Sequence, residues 1–272
     1  MPNHRWKILV IGYFLVKLIG PDVQAVESGN QILDKTSTVF QISTIQALLK
    51  GVYDGETTVE QLKKFGDFGF GTFNGLDGEM IAINGQFYQA KADGTVHQVP
   101  DTMKTPYATV HFFSTDQQIT LKDPIKNYQQ LQNDLDPYLS TRNRPYALKI
   151  EGTFANLKIR SVPKQSKPYP PTVEVVAHQP VFEFQEIKGT LIGYWFPDYF
   201  DKLNAPGYHL HFLSEDKQHG GHLLDCHLSA ATVEIDFIDS VHFLIPQNAN
   251  FQQADLTTYS RKELEQVKGD HY

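Results

Sequence analysis

Hydrophobic and polar positions change period several times along the chain, and each change marks an element. Ile45, Leu48 and Leu49 recur at helical spacing between Ser43, a good N-cap, and Gly51, a stop signal, so a short helix is expected there. A second short helix follows, because Thr58 and Gln61 have capping-box spacing ahead of Leu62 and Phe65, and Gly66 closes the pattern. From Asp67 the period shortens to that of strands separated by turns. Asp77-Gly78, Asn84-Gly85 and Asp93-Gly94 each favour a tight turn with positive φ, which predicts a hairpin over 80–90. A strand is predicted over 107–113, and a polar helix over 124–139 with Tyr128, Leu131 and Leu135 on one face. Two further strands are expected over 146–154 and 157–162.

The stretch 163–171 holds four prolines and two lysines and reads as a loop dividing the chain into halves. Beyond it the pattern is strand-like to residue 246, with strands over 182–195, 208–213, 222–228, 232–238 and 241–245. The segment 259–267 reads as an exposed helix.

Composition narrows the choice of fold and partner. The chain has 272 residues, 40% of them hydrophobic, which is enough to bury a real core. With 19 Gly, 15 Pro and 12% aromatic residues, a strand-rich α+β fold is favoured over a helical bundle. A net charge of −7 disfavours nucleic acid, whose backbone is bound by dense positive charge. The single cysteine, Cys226, cannot form an internal disulfide, so packing and a metal are left to hold the fold.

Residues 1–25 have the layout of a secretory signal, with Arg5 and Lys7, an apolar run over 8–16, and then Val23, Gln24 and Ala25. Cleavage is expected after Ala25. The run is too short for a membrane span of about 20 residues, and Lys17 interrupts it. The mature protein is therefore expected to be exported to the periplasm or the medium, without membrane attachment. The expected organisation is a signal at 1–25, one domain at 26–162 and a second at 163–272.

The densest chemistry lies at 207–222. His209 and His211 are two apart on a predicted strand, so both imidazoles leave the same face with Cα atoms roughly 6.6 Å apart. Turn-rich residues 214–221 let the chain double back, and His222 can then lie opposite His211. Three neutral nitrogen donors around one point, with further positions open, have the composition of a catalytic zinc site rather than a closed structural one. His97, His111, His178 and His242 lack such partners in sequence and default to structural roles. Cys226 lies roughly 13 Å from His222 along the same strand face, too far to share its metal, and reads as a small buried hydrophobe. The pattern His209, His211, Glu215 also resembles the metal motif of cupin barrels, but the glycines that follow fit it loosely.

Several stretches together resemble bacterial α-acetolactate decarboxylases: STIQALLKGVYDG at 43–55, GDFGFGTFNGLDGEM at 66–80, residues 107–110, LKIRSV at 157–162, and YHLHFLSEDKQHGGHLLDC at 208–226. The likeness spans 38–246. It implies a dimeric two-domain α/β protein with a larger mixed N-terminal sheet and helices, and a smaller C-terminal sheet carrying zinc on His209, His211 and His222. The implied reaction converts (S)-2-acetolactate to (R)-acetoin and carbon dioxide. By the same resemblance Arg160 is an active-site arginine that holds the substrate carboxylate or offsets developing charge, and Glu79 lines the site and takes part in proton transfer. Thr72 and Leu76 fall at pocket-lining positions. Without the resemblance, Arg160 would read as a surface cation and Glu79 as a hairpin-turn carboxylate.

The family also places a glutamate near the C-terminus, where the tail folds over the metal site. Counting from His222 puts that position at Lys268, and Glu265, one helical turn earlier, is the residue assigned the role, ahead of Glu263 on the opposite side. Lys268 keeps a second reading open, that of an exported zinc-containing binding protein with the same fold and lost catalysis.

Overall fold

The computed structural model describes residues 37–269, and the expected export signal lies outside them. The chain opens with β1 (Thr38–Ile42) and α1 (Ile45–Leu49), then β2 (Thr57–Thr58) and α2 (Val59–Leu62). A run of strands follows: β3 (Phe68–Thr72), β4 (Glu79–Ile83), β5 (Gln86–Ala90), β6 (Val96–Gln98), β7 (Lys104–Thr105), β8 (Ala108–His111) and β9 (Gln117–Leu121). Then come α3 (Tyr128–Leu135), β10 (Tyr146–Arg160), α4 (Thr172–Val176), β11 (Val181–Phe196), β12 (Gly207–Ser214), β13 (Gly220–Phe237) and β14 (Ser240–Leu244). Two helices, α5 (Ala249–Gln253) and α6 (Arg261–Lys268), end the described chain. None of its helices is long and apolar enough to cross a membrane.

Two principal sheets result. The larger is seven-stranded, in the order β14-β1-β8-β3-β4-β5-β6, and it is mixed because β1 and β14 run parallel while β1 and β8 run antiparallel. The smaller has the order β10-β11-β12-β13-β9, and β10 also pairs with β13, so four strands close on themselves. Strands from both sides of the proline-rich loop serve both sheets: β9 and β10 precede it in the smaller sheet, and β14 follows it in the larger. Strands β3 and β4 pack against β11, β12 and β13, and the resulting core includes Phe68, Phe70, Ile81, Ile192, Tyr194 and Leu213. A second core fills the closed strands with Phe154, Leu157, Leu210, Phe212 and Leu223.

Most predicted elements are present, with informative differences. The hairpin of β4 and β5 turns at Asn84 (φ 52°) and Gly85 (φ 72°), the left-handed pair that such a tight turn requires. The capping box at Thr58 and Gln61 is formed. The N-cap of α1 is Thr44, which accepts from the Ala47 N–H, and not Ser43, whose N–H donates to Leu244 of β14 instead. Strands expected at 146–154 and 157–162 are one continuous strand, since shifts of register between Gly152 and Asn156 let β10 curl without breaking. Those expected at 222–228 and 232–238 likewise merge into β13, and the exposed Ser229 and Ala230 between them are a solvent-facing stretch of strand rather than a turn. Helix α4 lies between the proline-rich loop and the first strand expected beyond it, where no helix is expected. Helix α6 is not simply exposed, because Leu264 and Val267 are buried.

Phe154 is fully buried and meets Phe212 edge-on, with centroids 5.3 Å apart. Phe154→Ala should lower unfolding free energy by about 3–5 kcal/mol, measured by denaturant titration at fixed metal content. A loss below about 1 kcal/mol would show that the closed strands do not depend on this core.

Candidate metal centre

The hairpin geometry brings the three histidines together. His209 and His211 share one face of β12, and His211 is the register partner of His222 on β13. One ligand-capable nitrogen from each lies within 4.8 Å of the others. Ring centroids stand 4.8 Å apart for His209 and His222, 5.2 Å for His209 and His211, and 5.4 Å for His211 and His222. Two glycines permit this closeness: a Cβ at Gly193 would lie 2.0 Å from the His209 carbonyl oxygen, and one at Gly221 would lie 2.5 Å from that of Arg160. Any larger residue there pushes the strands apart. Phe70 of β3 then covers the histidines, its ring centroid 4.2 Å from that of His209 and 5.1 Å from that of His211.

The donor atoms fit a metal. His211 Nδ1 lies 2.9 Å from the Met80 carbonyl and His222 Nε2 lies 3.0 Å from the Lys268 carbonyl. A carbonyl only accepts, so both of those nitrogens carry the proton, and the lone pairs sit on His211 Nε2 and His222 Nδ1. His211 Nε2 and His209 Nδ1 are buried with no hydrogen-bond partner among the described residues. Loss of water holds the His211 pKa down to about 3, helped by the Arg160 charge and opposed by its Met80 hydrogen bond. His209 and His222 are pushed well below the usual imidazole range by the same desolvation. Neutral imidazoles with orphaned lone pairs are the form that ligates a cation.

Arg160 and Glu79 stand beside the cluster, and neither is the surface charge that its local sequence implies. Arg160 is 3% exposed and Glu79 7%. Arg160 Nη1 donates to Glu79 Oε1 at 3.3 Å, while Nη2 donates to the Val267 carbonyl. The other Glu79 oxygen lies 3.7 Å from His211 Nε2. Burial raises the Glu79 pKa to about 7, against the opposing pull of Arg160. Thr72 donates its hydroxyl to the Gly78 carbonyl at 2.7 Å, and it lines with Leu76 the same cavity of about 50 Å³ as the histidines, Arg160 and Glu79.

Glu265 is not brought to this cavity. Its carboxylate pairs with Arg261 Nε at 3.2 Å and borders an outer groove with Asp198, Tyr208 and Lys268. Helical phase is the reason: Leu264 and Val267 face inward three residues apart, which turns Glu265 about 100° from Leu264. Glu263 lies 3.8 Å from Lys50, and Lys268 Nζ donates to the Pro206 carbonyl. What the tail brings to the site is main-chain carbonyls and the Val267 side chain, together with Ile45, Leu48, Phe70 and Tyr107 from elsewhere. Sequence reading missed these, although all except Val267 fall inside the motif stretches. His111 is committed elsewhere, 2.9 Å from the Tyr194 hydroxyl and 3.2 Å from Asp236.

Fold and site together define a mixed α/β protein with a pocket built on three histidines and a buried arginine–glutamate pair. A family model described as alpha-acetolactate decarboxylase matches residues 39–258. An alpha-acetolactate decarboxylase of Methylococcus capsulatus is 47% identical over 218 residues, covering 80% of this chain and 84% of that protein. One from Bacillus subtilis strain 168 is 36% identical and covers 89% of this chain and 98% of that protein. The crystal structure of an alpha-acetolactate decarboxylase from B. subtilis strain 168 superposes with a TM-score of 0.83 at 37% identity, covering 86% of this chain and 100% of that one. The chain belongs to the alpha-acetolactate decarboxylase family, a family of carboxy-lyases.

Purified protein should carry one metal per chain, and His211→Ala should retain less than half an equivalent by elemental analysis. Full occupancy in that variant would remove His211 from the ligand set.

Proposed function

We propose that the protein decarboxylates (S)-2-acetolactate to (R)-acetoin and carbon dioxide with zinc bound by His209, His211 and His222. The observation that carries this reading is the convergence of three buried imidazoles with Arg160 and Glu79 in one cavity. Its support in sequence is the decarboxylase name carried by relatives that cover 80–89% of the chain. The non-catalytic alternative is not favoured for the same reason.

A 2-hydroxy-3-keto acid that loses carbon dioxide breaks its C1–C2 bond and leaves an electron pair on C2. Zinc, which His209, His211 and His222 would hold, would supply a Lewis acid that stabilises this charge as it delocalises onto the neighbouring ketone oxygen. Arg160 presents a guanidinium already desolvated and fixed by two acceptors, which orients the substrate carboxylate and offsets negative charge. Glu79 sits between Arg160 and His211, where its carboxyl can hand the proton to C2. Thr72, Leu76 and Phe70 line the walls around the position the reacting carbon would take.

Turnover is tested by incubating metal-loaded protein with acetolactate and measuring acetoin. Glu79→Gln and Arg160→Lys should keep their metal and lose about 100- to 10,000-fold in kcat, whereas Glu265→Gln should stay within a few-fold of wild type. Absence of acetoin from the wild type refutes the reading. A large loss in Glu265→Gln would return the tail acid to the mechanism.

Export and a homodimer belong to the same reading and rest on the 1–25 pattern and the family resemblance. Mass spectrometry of the native protein should find a chain beginning at Val26. An intact N-terminus in the cytosol would refute export.

A further inference from the structure

The cavity lining is of two chemical kinds. The three histidines, Arg160, Glu79 and Thr72 supply polar groups, and Ile45, Leu48, Leu76, Val162 and Val267 supply aliphatic ones. A 2-hydroxy-3-keto acid divides in the same way: its carboxylate, hydroxyl and ketone oxygens match the polar groups, and its alkyl groups match the aliphatic ones. At about 50 Å³ the cavity is tight. In a close-packed wall one methylene is felt.

We propose that Val267 is a specificity-determining residue whose side-chain size sets which C2 substituent the cavity admits. The inference rests on the decarboxylase reading and deepens it. Val267 lies between two anchored carbonyls, its own accepting from Arg160 Nη2 and that of Lys268 lying 3.0 Å from His222 Nε2. Its backbone is therefore fixed at the cavity, and a change of side chain leaves those hydrogen bonds in place. Ile45 and Leu48 line the cavity from α1 and share one buried core with Val267, but they lie on a helix near the start of the described chain, whereas Val267 lies near its end. Leu76 is held at a left-handed φ of 54°. Val267 sits on the last turn of the final described helix, so its size alters the cavity from an element joined to the rest of the chain on one side only within the described residues.

The test compares 2-acetolactate, with methyl at C2, and 2-aceto-2-hydroxybutyrate, with ethyl. The measured quantity is the ratio of their kcat/KM values on metal-loaded protein, which general loss of folded enzyme does not move. Val267→Ala should raise the ethyl-to-methyl ratio about fivefold to tenfold, and Val267→Ile should lower it by a similar factor. Leu264→Ala, buried on the same helix but outside the cavity lining, should leave the ratio within about twofold even where it costs stability. Calorimetric affinities for 2,3-dihydroxy-2-methylbutanoate and its 2-ethyl homologue should shift in the same directions. An unchanged ratio in both Val267 variants, with acetolactate still turned over, overturns this inference and leaves the decarboxylase reading standing. Turnover of neither substrate by the wild type overturns both.

Discussion

The register that sets His211 opposite His222 is the constraint on which the rest of the site depends. Side chains alternate faces along a strand, so a slip of one residue between β12 and β13 would send one of the two imidazoles to the far face. That register is held from outside the hairpin. Strand β10 pairs with both β11 and β13, and β11 pairs with β12, so each histidine strand is fixed by a neighbour that carries none of the three histidines. The same closure sets Arg160 directly across from His222, which puts the guanidinium at the cluster without any long-range steering.

Burial gives this arrangement its chemistry and its cost. Arg160 and Glu79 are both almost without water, and removing one partner of such a pair characteristically costs about 3–5 kcal/mol because the other charge is stranded. The protein tolerates the pair by dividing the guanidinium between two acceptors, Glu79 and the Val267 carbonyl. The low dielectric that makes the pair expensive also keeps the imidazoles neutral and strengthens every interaction with a substrate anion. Stability and reactivity are therefore set by the same few atoms. Phe70, Gly193 and Gly221 serve both, since they hold water out and let the strands approach.

How far the site could be read in advance depended on how local its signal was. The three histidines were legible because strand alternation and one turn bring them together within 14 residues of chain. Arg160 and Glu79 were not legible from local pattern, which made both of them surface charges. Their burial comes from β4 packing on the smaller sheet, a contact between distant segments that no periodicity encodes. Among elements, the hairpin at Asn84 and Gly85 was plain because positive φ has few tolerant residues, whereas β10 and β13 were each read as two strands because a curling strand and a broken one show the same interruption of pattern. Thr44 and Ser43 are both competent caps, and only the bond from Ser43 to β14 decides between them.

The C-terminal helix shows the limit of counting residues. Distance from His222 placed Lys268 at the site, and chemistry then pointed to the nearest acid, Glu265. The distance held in one sense, since the Lys268 carbonyl does meet His222, but it is the backbone that arrives there and not the side chain. Helical phase decides which side chain follows, and burial of Leu264 selects Val267 rather than Glu265. Among the described residues lining the cavity, Glu79 is then the only carboxylate. Under the decarboxylation proposed above, a side-chain acid that hands the proton to C2 from within the cavity would be Glu79, and the tail would contribute the Val267 side chain and main-chain carbonyls.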